Sequence, residues 1–353
     1  MAQQPFPGPF TSAKPVQLPE VPLPFPLRYS PYEKEVDDLT RRWCLTTGIL
    51  PDTEAAGQWW ETSALTAILA WCMPDASAER LLLCNKWVCL AFLFDDQFDN
   101  TSLGWRLADT QPVLDQMIAA LELAPSHPVA RLQPFSYAWA DLLADFSQCM
   151  SPVWMRRQRH YLARWWRGIA QAVAHRDSGA PPLDFRERYA IRRLTVGMES
   201  FGELLEVASG WELPPTLDAM REIRRVRHLI TDITLFQNDM CSLERERQGG
   251  NDDNVLLGWE AEGHSTAAAV DMAQDQIRTL ADEFQTLLLE LPRLADRLGL
   301  SPADREGFRR WIGICSLYLA GAGRCQASGD RYTRIMTEAA HDHHLDRLLH
   351  GWS

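Results

Sequence analysis

The stretch Asn238-Asp239-Met240-Cys241-Ser242-Leu243-Glu244-Arg245-Glu246 sets an amide, a hydroxyl and a carboxylate four residues apart, at Asn238, Ser242 and Glu246. On a helix of 3.6 residues per turn each step of four rotates by only about 40°, so the three oxygens line up along one face. A second stretch, Asp95-Asp96-Gln97-Phe98-Asp99, answers it. Asp95 and Asp99 are again four apart, with Asp96 one turn from Asp99, so a second helix presents two or three carboxylates to the same space. Two facing clusters of hard oxygen donors describe a divalent-cation site. Magnesium takes six oxygens in near-octahedral geometry, retains several waters, and is held by a few carboxylates plus phosphate oxygens of a substrate. Neither cluster contains paired His or Cys, which disfavours zinc and iron. An acidic helix end taken alone is usually just solvated, but the apolar run before Asp95 marks a buried helix.

The rest of the chain narrows the class. Its 353 residues are ample for a deep core. Forty-seven acids against thirty-five Lys plus Arg give a net charge of −12, the opposite of what phosphate neutralisation requires, so nucleic acid is excluded as a partner. The eight cysteines lie mostly in apolar stretches without a Cys-x-x-Cys pair and read as buried, reduced thiols. The richest apolar stretch, Trp87 to Phe94, ends in aspartates and is far shorter than the roughly twenty residues that span a bilayer. No membrane span is expected. The first residues lack the basic start and apolar centre of a secretory signal, and the expected location is cytoplasmic.

Prolines recur from Pro5 to Pro31, which forbids helix and favours extended chain, so residues 1–27 are expected to form a flexible proline-rich segment. Beyond it, apolar residues at helical spacing alternate with short Pro, Gly or Asp breaks, and no period-2 series appears. The fold is expected to be all-α. Ser77 starts a helix that runs through Phe94 to the aspartates, placing them at its C-terminal end, where the helix dipole disfavours negative charge. Phe185 to Ala208 reads as a helix interrupted at Gly197 and at Gly202, because glycine costs roughly 1 kcal/mol against alanine in a helix interior. Further helices are expected from about Leu217 to Glu246, from Ser265 to Leu291 and from Pro302 to about Gln326.

With these residues in place, the chain resembles the bacterial class I terpene synthases. The family's Asp-Asp-x-x-Asp motif matches Asp95, Asp96 and Asp99, and its Asn-Asp-x-x-Ser-x-x-(Lys/Arg)-Glu motif matches Asn238, Asp239, Ser242, Arg245 and Glu246. An arginine forty-six residues before the motif asparagine is Arg192, and the C-terminal Arg-Tyr pair is Arg331-Tyr332. The similarity covers roughly residues 28–335 as a catalytic domain, leaving 336–353 as a tail. It implies a class I terpenoid synthase-like helical bundle around a central apolar cavity. It also implies three magnesium ions, with Asp95 as a bridging ligand, Asp96 and Asp99 in the same motif, and Asn238, Ser242 and Glu246 holding the third ion. Arg192, Arg245, Arg331 and Tyr332 would bind the diphosphate of a prenyl diphosphate substrate. Thr195 and Val196, just before Gly197, match the linker and the backbone carbonyl that help trigger ionisation. A shift of helix register would put Arg193 in the place of Arg192. The family analogy alone points to a homodimer.

The implied reaction is magnesium-dependent ionisation of a linear prenyl diphosphate and cyclisation of the carbocation to a terpene hydrocarbon or alcohol. Farnesyl diphosphate is the first expectation on family frequency, with geranylgeranyl diphosphate as another length. A carbocation needs a water-poor cavity with aromatic faces, each contributing roughly 0.5–2 kcal/mol of cation–π attraction. Phe92 and Phe201 match cavity places in the family; Trp87, Trp311 and Tyr318 are weaker candidates, since helical aromatics are more often core. Two other readings were weighed: a chain-elongating prenyltransferase, whose second Asp-Asp-x-x-Asp is missing around Asp252-Asp253, and a non-catalytic isoprenoid-binding helical protein, which would need no metal ligands. The segment His341-Asp342-His343-His344 reads as a solvated helix end.

Overall fold

Capping chemistry in the sequence sets several helix starts in the computed structural model, which describes residues 19–100, 102–249 and 253–328. Thr53, Ser151, Ser265 and Asn254 each accept a backbone N–H of the first turn, while Asp184 and Glu187 form a reciprocal capping box. Among the described residues the regular structure is helical, with no strand. The helices are α1 (Glu33–Thr47), α2 (Glu54–Ser63), α3 (Leu65–Cys72), α4 (Ala78–Asn100), α5 (Leu107–Ala120), α6 (Pro134–Ser147) and α7 (Pro152–Ser178). They continue as α8 (Phe185–Thr195), α9 (Met198–Ser209), α10 (Pro215–Asp218), α11 (Arg221–Gly249), α12 (Val255–Ala261), α13 (Thr266–Arg297) and α14 (Pro302–Ser328).

Helix α4 is the centre of the bundle and is apolar on every side: Leu81, Cys84, Trp87, Val88, Cys89, Leu90, Leu93 and Phe94 are all buried. It packs on α1, α3, α6 and α9, while α11 packs on α13, α14 and α9. Between α7, α9 and α11 lies a buried ion network. Arg157 donates to Glu203 at 2.9 Å and to Glu206 at 2.7 Å, and Arg227 donates to the same two carboxylates at 2.7 and 2.6 Å. Both glutamates are fully buried, so each guanidinium fork compensates charges that water cannot reach. Burial pushes the Glu206 carboxyl above its usual range, Glu203 adds to the rise, and the two arginines oppose it.

Several boundaries differ from the sequence reading, each for a physical reason. Helix α4 does not stop at the aspartates but continues to Asn100, so Asp95 lies inside it. Gly197 takes φ 71 and separates α8 from α9, whereas Gly202 remains inside α9 without a break. Helix α11 begins at Arg221, after the short α10. Helix α13 carries Pro292 in its interior and reaches Arg297, held by the burial of Leu291, Leu294 and Ala295 beyond the usual stopping point. Residues 19–27, the described part of the proline-rich segment, form no helix, as their prolines require, but they are not a loose appendage. Val21 is buried, the Phe25 ring meets Phe284 edge-on at 5.6 Å, and the Cys241 thiol donates to the Pro19 carbonyl. All eight cysteines are free; seven are buried and Cys149 is exposed. Among the described residues no helix is long and apolar enough to cross a membrane.

Helices α3 and α14 approach so closely that a Cβ added to Gly321 would lie 2.3 Å from the Trp71 carbonyl oxygen. Backbone cannot yield there as a side chain would. Gly321→Ala is expected to destabilise the fold by about 1–3 kcal/mol, the usual cost of overpacking, read as a lower midpoint in urea denaturation.

Candidate active site

Helices α3, α4, α7, α8, α9, α11 and α14 enclose a cavity of about 140 Å³. Most of its wall is apolar, and its polar lining includes Asp95, Arg192, Thr195 and Asn238. The α4 register brings Asp95 to the wall; Asp96 and Asp99 follow on the same helix, but their side chains lie outside the description. Arg331 and Tyr332 lie outside the described residues.

Arg192 sits in the last turn of α8 and reaches across to α11. Its Nε donates to Asp239 Oδ1 at 2.7 Å and its Nη2 to Asn238 Oδ1 at 2.8 Å, while Nη1 lies 3.4 Å from Thr195 Oγ1. Burial opposes the Arg192 charge, but Asp239, Glu246 and Asp95 outweigh it and hold the guanidinium firmly protonated. Burial pushes the Asp239 carboxyl up to about 6, with Arg192 working against the rise. The neighbouring Arg193 turns elsewhere, pairing with Asp232 at 3.0 Å and lying over the Tyr189 ring. Arg192 therefore faces the cavity and Arg193 does not.

The chain bends directly after this arginine. The Trp165 indole Nε1 donates to the Thr195 carbonyl at 2.8 Å. Its ring lies so near Gly197 that an added Cβ would meet it at 3.1 Å. Gly197 is thus required twice, by its positive φ and by the indole under it. Val196, at the bend, lines the cavity.

Along α11 the oxygen ladder runs outward from the cavity. Ser242 donates its hydroxyl proton to the Asn238 carbonyl at 2.8 Å, leaving its oxygen lone pairs available. Glu246 Oε2 accepts from Asn254 Nδ2 at 2.8 Å, and the same amide nitrogen donates to the Asp239 carbonyl at 2.7 Å. Val255 N–H donates to Asp239 Oδ2 at 2.8 Å, so the start of α12 fixes both residues. Arg245 Nη2 lies 3.9 Å from Glu246 Oε1. The donor set of Asp95, Asn238, Ser242 and Glu246 is entirely oxygen, which fits a hard divalent cation. Among the described residues no three His, Cys, Asp or Glu side chains converge on a metal position.

Aromatic rings form much of the remaining wall. Phe92, Phe201 and Tyr318 line the cavity, with the Phe201 and Tyr318 rings 4.9 Å apart. Of the weaker candidates, Trp87 and Tyr318 belong to the wall, whereas Trp311 is buried away from it against Phe308. The sequence reading missed Trp165, Thr234 and Asn254. Asn254 carried a usable signal, a capping residue just before the apolar Val255-Leu256; Trp165 carried none beyond helical spacing.

A family model described as terpene synthase family 2, C-terminal metal binding, matches residues 86–283. The chain belongs to this family and is a bacterial class I terpene synthase, a terpene cyclase acting on a prenyl diphosphate. Among similar proteins, pristinol synthase of Streptomyces pristinaespiralis is 26% identical over 88% of this chain and 83% of its own length. Pentalenene synthase of Streptomyces avermitilis is 28% identical over 92% of this chain and 96% of its own. The 7-epi-alpha-eudesmol synthase of Streptomyces viridochromogenes, described as (2E,6E)-farnesyl diphosphate cyclizing, is 29% identical over 73% of this chain and 76% of its own. The crystal structure of germacradien-4-ol synthase from Streptomyces citricolor superposes with a TM-score of 0.76 at 26% identity, covering 88% of this chain and 98% of that one.

Arg192→Met would leave Asp239 buried without its cation. The expected cost is about 3–5 kcal/mol, as for other broken buried pairs, and urea denaturation of the variant beside the wild type measures it.

Proposed function

We propose that the protein binds farnesyl diphosphate with three magnesium ions and cyclises it to a terpene hydrocarbon or alcohol.

 The reading rests on one observation above the others: Arg192, Asn238 and Asp95 line the same mostly apolar cavity, with Arg192 donating to Asn238. Farnesyl diphosphate is chosen over longer or shorter chains because the eudesmol synthase relative is described as cyclising it.

In this reading Asp95, Asp96 and Asp99 would hold magnesium from α4, and Asn238, Ser242 and Glu246 would hold it from α11, three ions in all. Bound there, magnesium neutralises charge on the departing diphosphate. Arg192 and Arg245, with Arg331 and Tyr332, donate hydrogen bonds to the diphosphate oxygens, and the guanidinium fork suits that geometry. The allylic C–O bond breaks and its electron pair leaves with the diphosphate. Thr195 and Val196, at the bend behind Arg192, aim the backbone toward the reacting end. The apolar wall keeps water from the cation, while the faces of Phe92, Phe201 and Tyr318 stabilise it as it closes. Loss of a proton, or capture of a water, ends the reaction as hydrocarbon or alcohol.

The test is incubation with geranyl, farnesyl and geranylgeranyl diphosphates, with magnesium or with EDTA, followed by gas chromatography and mass spectrometry. A cyclic product from farnesyl diphosphate, formed with magnesium and absent with EDTA, is expected; a product only from another chain length would reject the substrate assignment. In the same assay Asp95→Ala should lose nearly all turnover while keeping the wild-type circular dichroism spectrum. Phe92→Leu should still release diphosphate but shift the product ratio, and an unchanged profile would place Phe92 in packing alone.

A further inference from the structure

Arg176 belongs to none of the sequence motifs, yet its side chain, in the last turn of α7, is only 10% exposed. Its Nη1 donates to the Gly104 carbonyl at 2.8 Å and its Nη2 to Asp253 Oδ2 at 2.9 Å. The Trp105 ring lies 5.5 Å from the guanidinium carbon. Next to it, Asp177 Oδ2 accepts the Leu107 N–H at 3.0 Å, a second tie between the end of α7 and the same connection.

The two acceptors of Arg176 stand behind the two oxygen clusters. Gly104 lies in the connection from α4 to α5, which follows Asp95, Asp96 and Asp99 in the chain. Asp253 directly precedes Asn254, whose amide holds Glu246 and the Asp239 backbone. One rigid fork therefore joins the segment behind the aspartate cluster to the segment behind the Asn/Ser/Glu cluster. A lysine could not serve both, because a point charge on a flexible stem lacks the two diverging donors.

We infer that Arg176 is a positioning residue that couples the two clusters, so that cation loading at one depends on the geometry of the other. The inference rests on the metal reading given under Proposed function. In this inference Arg176 acts through Asp253, Asn254 and the α4–α5 connection. Partners of metal ligands beyond the direct ligands typically change metal affinity by about 10–100-fold when removed.

The experiment is a manganese titration of the full-length protein in the presence of inorganic diphosphate, followed by electron paramagnetic resonance. Arg176→Met keeps the stem against Trp105 and removes both donors; Asp253→Asn keeps the shape and weakens one arm. The wild type is expected to load in one cooperative transition. Arg176→Met should weaken loading by about ten-fold and flatten its cooperativity. The magnesium concentration for half-maximal turnover should rise in parallel, with KM for the prenyl diphosphate at saturating magnesium unchanged. Asp253→Asn should shift the same quantities in the same direction by less, and it decides the matter should Arg176→Met fail to fold. Wild-type manganese isotherms in folded variants would overturn the coupling. Absence of manganese uptake by the wild type would instead overturn the metal reading of the clusters.

Discussion

The ion pair between Arg192 and Asp239 constrains everything at the polar end of the cavity. Asp239 is fully buried and Arg192 nearly so, and neither can return to water without opening α8 from α11. A buried pair of this kind contributes little net stability, but losing either member is costly. Its value here is geometric. Because a guanidinium only donates, it settles which way the Asn238 amide turns, with Oδ1 toward Arg192. Asp239 in turn holds the first backbone N–H of α12, and α12 brings Asn254 to Glu246. Three residues of the α11 motif are thus positioned by one contact that includes no motif carboxylate except Asp239 itself.

That contact is possible only because α8 stops where it does. An uninterrupted helix from Phe185 would carry the chain past α11 with no change of direction. The bend at Val196-Gly197 redirects α9 toward α4 and α14, where Met198 and Phe201 become cavity wall. Trp165 holds the bend from beneath by a hydrogen bond to the Thr195 carbonyl, and its ring stacks on Trp87 and meets Phe94 edge-on. The strain of a positive φ is avoided by using glycine. The bend is therefore tied both to the ionising end, through Arg192, and to the aromatic wall, through Trp165.

Much of this was legible in the sequence because the helix period is fixed. Spacings of four in Asn238, Ser242 and Glu246 must share a face whatever surrounds them, and the break at Gly197 follows from an intrinsic cost. What escaped depends on partners far along the chain. Trp165 looks like any helical aromatic until Thr195, thirty residues on, supplies a carbonyl. Arg176 resembles a solvated helix-end cation until Gly104 and Asp253 converge on it. The strap from Pro19 to Leu27 was read from its prolines, which specify extension but say nothing of whether Val21 and Phe25 find a groove. Pro292 and Gly202 failed as stop signals because burial of the neighbouring residues outweighs a local preference of roughly 1–3 kcal/mol.

The cavity also has to reconcile a polar end with an apolar interior, and two of its inner hydroxyls, those of Tyr318 and Thr234, meet each other. Tyr318 is buried in the wall, but its hydroxyl lies 3.2 Å from Thr234 Oγ1 and 3.3 Å from the Met198 sulfur. Buried hydroxyls so engaged have less need of water than unpaired ones. Thr234 lies one helical turn before Asn238 on α11, so a single helix carries both the inner hydroxyl and the first oxygen of the ladder. The change from the Thr234–Tyr318 hydroxyl pair to the Arg192–Asn238 contact takes place over that one turn. It marks the boundary between the polar end and a wall made mostly of rings and aliphatic side chains.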